Sequence, residues 1–214
     1  MKDFREIDFS VFTDFKSPFR IGLTGGIGSG KSTISKVFET LGISIYNSDD
    51  AAKWLMENDP GLIATLKEHF GEDIYDSAGT LERPLLASKV FGNKEQLELL
   101  NSLVHPVVIR HHSEWCKKQA NHPYLVKEAA ILFESGTYKD CDFVITVTAP
   151  EEIRIDRVMK RDGIDRETVL KRMKSQWSEE EKIKRSDWVI NNDNNTLILP
   201  DILAFHIKVS GMAK

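Results

Sequence analysis

Residues 25–32 read Gly-Gly-Ile-Gly-Ser-Gly-Lys-Ser. They fit the spacing G-x-x-x-x-G-K-S/T, which lets a backbone cradle phosphate. Glycines lack Cβ, so successive N–H groups can converge on one anionic group. A helix that follows presents its positive N-terminal end to the same charges. Lys31 adds a full positive charge, and the Ser32 hydroxyl can ligate Mg²⁺. Gly26, Ile27, Gly28, Ser29, Gly30, Lys31, Ser32 and Thr33 are therefore the expected nucleotide contacts. A cradle of this kind, a P-loop, gives nucleotide binding but does not fix a reaction.

Transfer of a phosphoryl group needs an acceptor-side base and a cationic clamp as well. Asp49 follows the second expected strand, where a carboxylate could take the proton of an acceptor hydroxyl. It could equally cap the next helix. Arg154, Arg157 and Arg161 recur at i, i+3 and i+7 and share one helix face. Beside a phosphate site they would stabilise the transferring group; interleaved Asp156, Lys160 and Asp162 also fit a solvated face. Glu128, at the end of a strand, is a candidate carboxylate near Mg²⁺ or a polar strand-end residue. His105, before Pro106, reads as structural more readily than catalytic. A guanine-binding switch protein is the first rival class. Its N-K-x-D motif is missing, because Asn93-Lys94 continues Glu95-Gln96, and Asp76-Ser77-Ala78-Gly79 follows no buried strand.

The elements that must position these groups are legible from apolar spacing. Phe19–Thr24 reads as a strand that enters the glycine turn, and Lys31–Leu41 as a helix with Ile34, Val37, Phe38 and Leu41 on one face. Gly42 ends that helix, and Ile43–Tyr46 is a second strand. Strand, helix and strand in this space make a βαβ unit and predict a parallel sheet covered by helices. Residues 50–120 read as helical, with breaks near Pro60, Gly71, Gly79, Gly92 and Pro106. Tyr124–Ala129 and Phe143–Thr148 are continuous apolar runs suited to interior parallel strands. A helix starts after Pro150 and closes at Gly163; a later one opens at Ser178 with Glu181 three residues on, a capping-box pattern. Trp188–Ile190 is expected as the last strand and Leu197–Val209 as a closing helix.

The chain has 214 residues, enough for one domain with insertions and for a sizeable core. Lys plus Arg is 29 against Asp plus Glu 33, a formal charge of -4, which argues against a dedicated nucleic-acid binder. Two cysteines, Cys116 and Cys141, make neither a disulfide framework nor a zinc site. No apolar run approaches the roughly 18 residues of a membrane span, and the N-terminus does not read as a signal peptide, so a cytoplasmic protein with no membrane partner is expected. Residues 1–18 stand apart as an N-terminal extension with four phenylalanines and no steady period. Oligomeric state is not legible.

From about Ile21 to about Asn192 the chain resembles the dephospho-CoA kinase family. The resemblance rests on Ile21–Thr33, Ser48-Asp49, Gly79-Thr80-Leu81-Glu82-Arg83 with Val90-Phe91, Val104-His105-Pro106, Ile131-Leu132-Phe133-Glu134, Arg157 with Arg161-Asp162-Gly163, and Gln176. It implies an α/β P-loop NTPase fold of three α/β/α layers, with a parallel sheet core (19–49, 121–153 and 187–214), a helical acceptor-binding insertion (about 50–120) and a helical lid (about 154–186). It implies ATP-dependent phosphorylation, with Mg²⁺, of the ribose 3′-hydroxyl of dephospho-CoA. Asp49 would be the base, Arg157 and Arg161 lid contacts to phosphate, and Arg83 and His105 part of the acceptor site. A kinase for another nucleotide and a nucleotide-dependent switch are the alternatives. Where the family shows Asp with Pro two residues on, this chain has Glu128 and Ala130; where it shows Asp-Asn-Asn-Gly, this chain has Asn191-Asn192-Asp193-Asn194.

Overall fold

The computed structural model describes residues 3–12, 18–90, 92–119 and 121–212. The chain divides into two compact units, Met1–Asn47 with Cys116–Lys214, and Ser48–Trp115.

The first unit is built on a five-stranded sheet. Its strands are β1 (Phe19–Thr24), β2 (Ile45–Asn47), β3 (Tyr124–Glu128), β4 (Phe143–Thr148) and β5 (Trp188–Asn191). The order is β2-β3-β1-β4-β5, and every pairing is parallel. Parallel strands deliver their carboxyl ends to one edge, and the strand order reverses beside β1, the place where sheets of this kind bind ligands. The glycine turn leaves β1 at that edge and enters α1 (Lys31–Thr40). β2 begins later than Ile43 because that residue still serves the helix. Gly42 at φ 83° donates to Glu39 O, and Ile43 N–H donates to Phe38 O, closing the last turn of α1.

Side chains alternate across the strands and sort the sheet into two covered faces. On one, Ile21, Leu23, Tyr124, Val126, Phe143, Ile145, Trp188 and Ile190 pack against Ile34 and Phe38 of α1 and Ile202, Phe205 and Val209 of the C-terminal helix Leu199–Met212. On the other, Val144 packs with Ala129, Leu132 and Phe133. Between β4 and β5 run α6 (Glu151–Asp162), α7 (Arg166–Lys174) and α8 (Glu179–Arg185), so the expected three layers are present. Gly163, at φ 66°, ends α6 as its sequence position implies, and Ser178 accepts from Glu181 N–H to cap α8. Residues 3–12 of the N-terminal segment pack against this core. Two short 3-10 turns place Phe4, Phe9 and Phe12 on the core, with the Phe12 ring tilted against Phe19 and Phe143 and edge-on to Phe205.

The second unit holds α2 (Ser48–Asn58), α3 (Pro60–Phe70), α4 (Arg83–Val90) and most of α5 (Lys94–Lys118). Asp59 caps α3 and Pro60 opens it; Gly71 ends it. Pro106 was expected to break the chain, but α5 runs through it. A proline removes one N–H and crowds one carbonyl, and a 25-residue helix whose Val104 and Val108 are buried absorbs that loss.

Candidate active site

The glycine turn is held from behind. Arg154, 5% exposed, donates through Nε to Ile27 O at 3.0 Å. Arg157 donates through one terminal nitrogen to Gly28 O (3.3 Å) and Ser29 O (3.2 Å) and through the other to Asn192 O (3.0 Å) and the Asn194 side chain. Asn192 Nδ2 donates to Ser29 O at 2.9 Å. In a trans peptide the C=O of one residue and the N–H of the next point opposite ways. Carbonyls 27 and 29 are drawn outward to arginine and asparagine. The N–H groups of Gly28 and Gly30 are thereby turned to the inside of the loop, the arrangement an anion needs.

The glycines are required by how closely the supporting elements approach. A Cβ on Gly26 would collide with the Arg154 guanidinium and the Glu179 carboxylate, and one on Gly28 with the Arg154 backbone. Gly28 and Gly30 also sit at φ 80° and 98°, conformations that L side chains seldom adopt.

At the mouth of α1 the Lys31 ammonium donates to Gly25 O at 3.0 Å. Ser32 Oγ donates to Glu128 Oε1 at 3.0 Å, and Ser35 Oγ to Glu128 Oε2 at 2.6 Å. The pairing follows from register. Glu128 shares its strand face with Tyr124 and Val126, the face that α1 covers, and it pairs with Leu23 of β1 and Asn47 of β2. Glu128 is 6% exposed and Ser35 4%, so the carboxylate is held on both oxygens in a place with little water. The longer Glu side chain thus reaches the loop serine, and Ser35, absent from sequence reasoning, fixes its second oxygen.

A second group of residues reaches the loop from the α7–α8 connection. Gly26 N–H donates to Glu179 Oε1 (3.1 Å) and Ile27 N–H to Gln176 Oε1 (2.9 Å). Glu179 Oε1 also pairs with Arg154 at 3.0 Å, and its Oε2 accepts from Thr148 Oγ at 2.6 Å. The connection is itself anchored. Fully buried Lys182 pairs with Glu134 at 3.0 Å and donates to Ala130 O, while Trp177 N–H donates to Glu134. Glu134, the last residue of the motif 131–134, is thus an anchor of this segment. Sequence reading missed Glu179 altogether; its only signal is the place it takes one residue after a helix-capping serine.

The arginine face expected to clamp the transferring phosphoryl group reaches the glycine turn: Arg154 and Arg157 of α6 hold loop carbonyls. Arg161 is 63% exposed in its side chain and pairs with Asp162 at 2.7 Å, and Asp162 also takes Arg172 at 2.9 Å. These neighbours hold the Asp162 carboxyl below its usual range, Arg161 foremost.

In the second unit, Asp49 lies in the first turn of α2, two residues past β2. Arg83 opens α4 and donates to Glu57 (2.9 Å) and to Lys53 O (3.4 Å), both on α2. His105 lies in α5, one residue after buried Val104. The Asp76–Gly79 lookalike of a switch motif is a turn: Asp76 N–H donates to Thr80 O and its carboxylate accepts from Ala78 and Thr80 N–H, between the bridged residues Tyr75 and Leu81. Among the described residues no group of three or more His, Cys, Asp or Glu could hold a metal by itself, and no helix is long and apolar enough to cross a membrane.

A parallel sheet whose first strand runs into a phosphate-cradling glycine turn, with a serine–carboxylate pair behind it, defines a P-loop α/β protein. The sequence model described as dephospho-CoA kinase matches residues 19–197. A dephospho-CoA kinase of Bacteroides fragilis is 37% identical over 86% of this chain and 89% of its own, and one of Porphyromonas gingivalis is 41% identical over 86% and 90%. The crystal structure of TT1252 from Thermus thermophilus, 36% identical, superposes with a TM-score of 0.77 over 92% of this chain and 98% of that one. The chain belongs to the dephospho-CoA kinase family, kinases of the last step of coenzyme A biosynthesis.

Proposed function

We propose that this chain transfers the γ-phosphate of ATP to the ribose 3′-hydroxyl of dephospho-CoA, with the residues named here in defined roles. The observation that carries the reading is the loop whose carbonyls are tied outward by Arg154, Arg157 and Asn192, beside Ser32 paired with Glu128. Gly26 to Thr33 form the phosphate site, and Lys31 places its charge against the β- and γ-phosphates. Mg²⁺ fits the donors present. Ser32 and Glu128 offer only oxygen, and Mg²⁺ is commonly held by one or two carboxylates together with phosphates and water rather than by an all-protein cage. Bound there, it would neutralise charge on the phosphates.

Asp49 is the acceptor-side base in this reading. Its support is topological: β2 ends at the same carboxyl edge as β1, and Asp49 follows by two residues. Arg83 and His105 belong to the acceptor-binding unit, and helices α6 to α8 to the lid. Arg157 serves by shaping the cradle, and Arg161, exposed beside Asp162, is the lid arginine left to meet phosphate. The test is direct. Purified protein with ATP, Mg²⁺ and dephospho-CoA should yield ADP and CoA, and a panel of other nucleotides should be phosphorylated more slowly. ADP formation no faster than in an acceptor-free control would refute the assignment. Asp49→Asn should lower kcat while ATP affinity stays near wild type; loss of ATP binding would assign Asp49 a structural role.

A further inference from the structure

We propose that Glu179 and Gln176 are positioning residues that set the conformation of the phosphate cradle, so that ATP affinity depends on the α7–α8 connection. The proposal rests on the reading of residues 26–33 as the ATP phosphate site. Gly26 and Ile27 are the two residues between the end of β1's turn and the inward-facing part of the loop. Both of their N–H groups are held by side chains at this junction, Gln176 of the connection and Glu179 at the start of α8, at 2.9 and 3.1 Å. The carbonyl of Ile27 is held by Arg154, which is in turn paired with Glu179. Gly26 O accepts from Ser29 N–H at 3.1 Å and closes the turn. Every backbone hydrogen-bonding group of these two residues is therefore engaged. Three of the four engagements depend on Arg154, Gln176 or Glu179.

The physical effect is preorganisation. A glycine-rich loop has many accessible conformations, and each residue fixed before binding is one whose entropy the ligand does not have to overcome. A carboxylate so near a phosphate site also repels phosphate unless its charge is neutralised. Arg154 at 3.0 Å, Thr148 Oγ at 2.6 Å and the Gly26 N–H do this for Glu179. The carboxylate thus acts as an acceptor for the loop and not as a competitor for its ligand.

Glu179→Met keeps the length of the side chain and removes both acceptors; Glu179→Gln keeps an acceptor for Gly26 N–H and the hydrogen bond to Thr148. ATP binding measured by calorimetry without acceptor substrate should weaken about tenfold in Glu179→Met, the scale of one hydrogen bond to a charged group, and recover most of the way in Glu179→Gln. Gln176→Met should weaken ATP binding by a similar factor, and the two changes together should fall short of their product because they act on adjacent residues of one loop. KM for dephospho-CoA should stay within about twofold in all three, a selectivity that a loss of general stability would not produce. Wild-type ATP affinity in Glu179→Met and Gln176→Met, or equal weakening in Glu179→Met and Glu179→Gln, would overturn the proposal. Should Glu179→Met not fold, Thr148→Val, which removes one anchor of Glu179, and Gln176→Met carry the same test. Failure of the wild-type protein to phosphorylate dephospho-CoA would overturn the functional reading instead, while the ATP-binding series still reports on the cradle.

Discussion

Replacing Arg154 with methionine tests whether the cradle is held by a buried ion pair. The Arg154 side chain is 6% exposed and that of Glu179 18%. Removing one partner of such a pair costs about 3–5 kcal/mol, because the other charge stays buried. Glu179 keeps its bonds from Gly26 N–H and Thr148 Oγ and some water, which places the cost at the low end, about 3 kcal/mol. The lost bond from Nε to Ile27 O adds about 1 kcal/mol. A domain of this size shifts in Tm by about 2–4 °C per kcal/mol, so Arg154→Met should melt about 8–16 °C below wild type. Neutralising the orphaned partner should help: in Arg154→Met/Glu179→Gln about 2 kcal/mol should return, although Glu179→Gln alone is destabilising. The assay is a double-mutant cycle by thermal and urea denaturation. A cost below 1 kcal/mol for Arg154→Met, or strict additivity in the cycle, would refute the reasoning.

Other outcomes follow from the same geometry. On the proposed reading Lys31→Ala removes a charge from the phosphoryl oxygens and should lower kcat/KM by about 10²–10³, which steady-state kinetics with ATP varied would show. Ser35→Ala frees one oxygen of Glu128 and should raise the Mg²⁺ concentration giving half-maximal rate several-fold, with little change in KM for dephospho-CoA. Lys127, 2% exposed on the sheet face opposite Glu128, has no hydrogen-bond partner for its Nζ, and burial holds its ammonium below the ordinary 10.5. The unfolded chain therefore binds more protons in the window below 10.5, so stability should rise with pH there. Lys127→Met should flatten that rise and stabilise the protein at neutral pH by about 1–2 kcal/mol, measured by denaturation at several pH values.

How much was legible follows from range. β1, the glycine turn and α1 could be read closely because one short segment carries an apolar run, a phosphate spacing and a helical period together. Gly163 and Ser178 marked helix ends by local chemistry alone. The start of β2 was misplaced by two residues because Ile43 looks like a strand residue and acts as the tail of α1. The arginine face was found by periodicity, but the loop carbonyls that Arg154 and Arg157 hold were not. Spacing says which residues share a face, and only the fold says that loop carbonyls lie over that face. Glu179 and Ser35 were silent for the same reason: their partners are 153 and 93 residues away. Phe4, Phe9 and Phe12 were seen but not placed, since 3-10 turns carry no long period to read.

Phe12 meets Phe205 at 5.8 Å and Phe4 meets Trp188 at 5.7 Å, so segments almost two hundred residues apart complete one aromatic cluster on the sheet. During synthesis Phe4 and Phe12 lack these partners, with β1 already made, until Trp188 and the helix Leu199–Met212 have left the ribosome. A core completed by segments so far apart in the chain stays exposed to aggregation while the residues between them are made. A ribosome stalled near residue 190 should therefore carry a nascent chain that proteases cut readily in the sheet-bearing unit, although β1 to β4 have all been made.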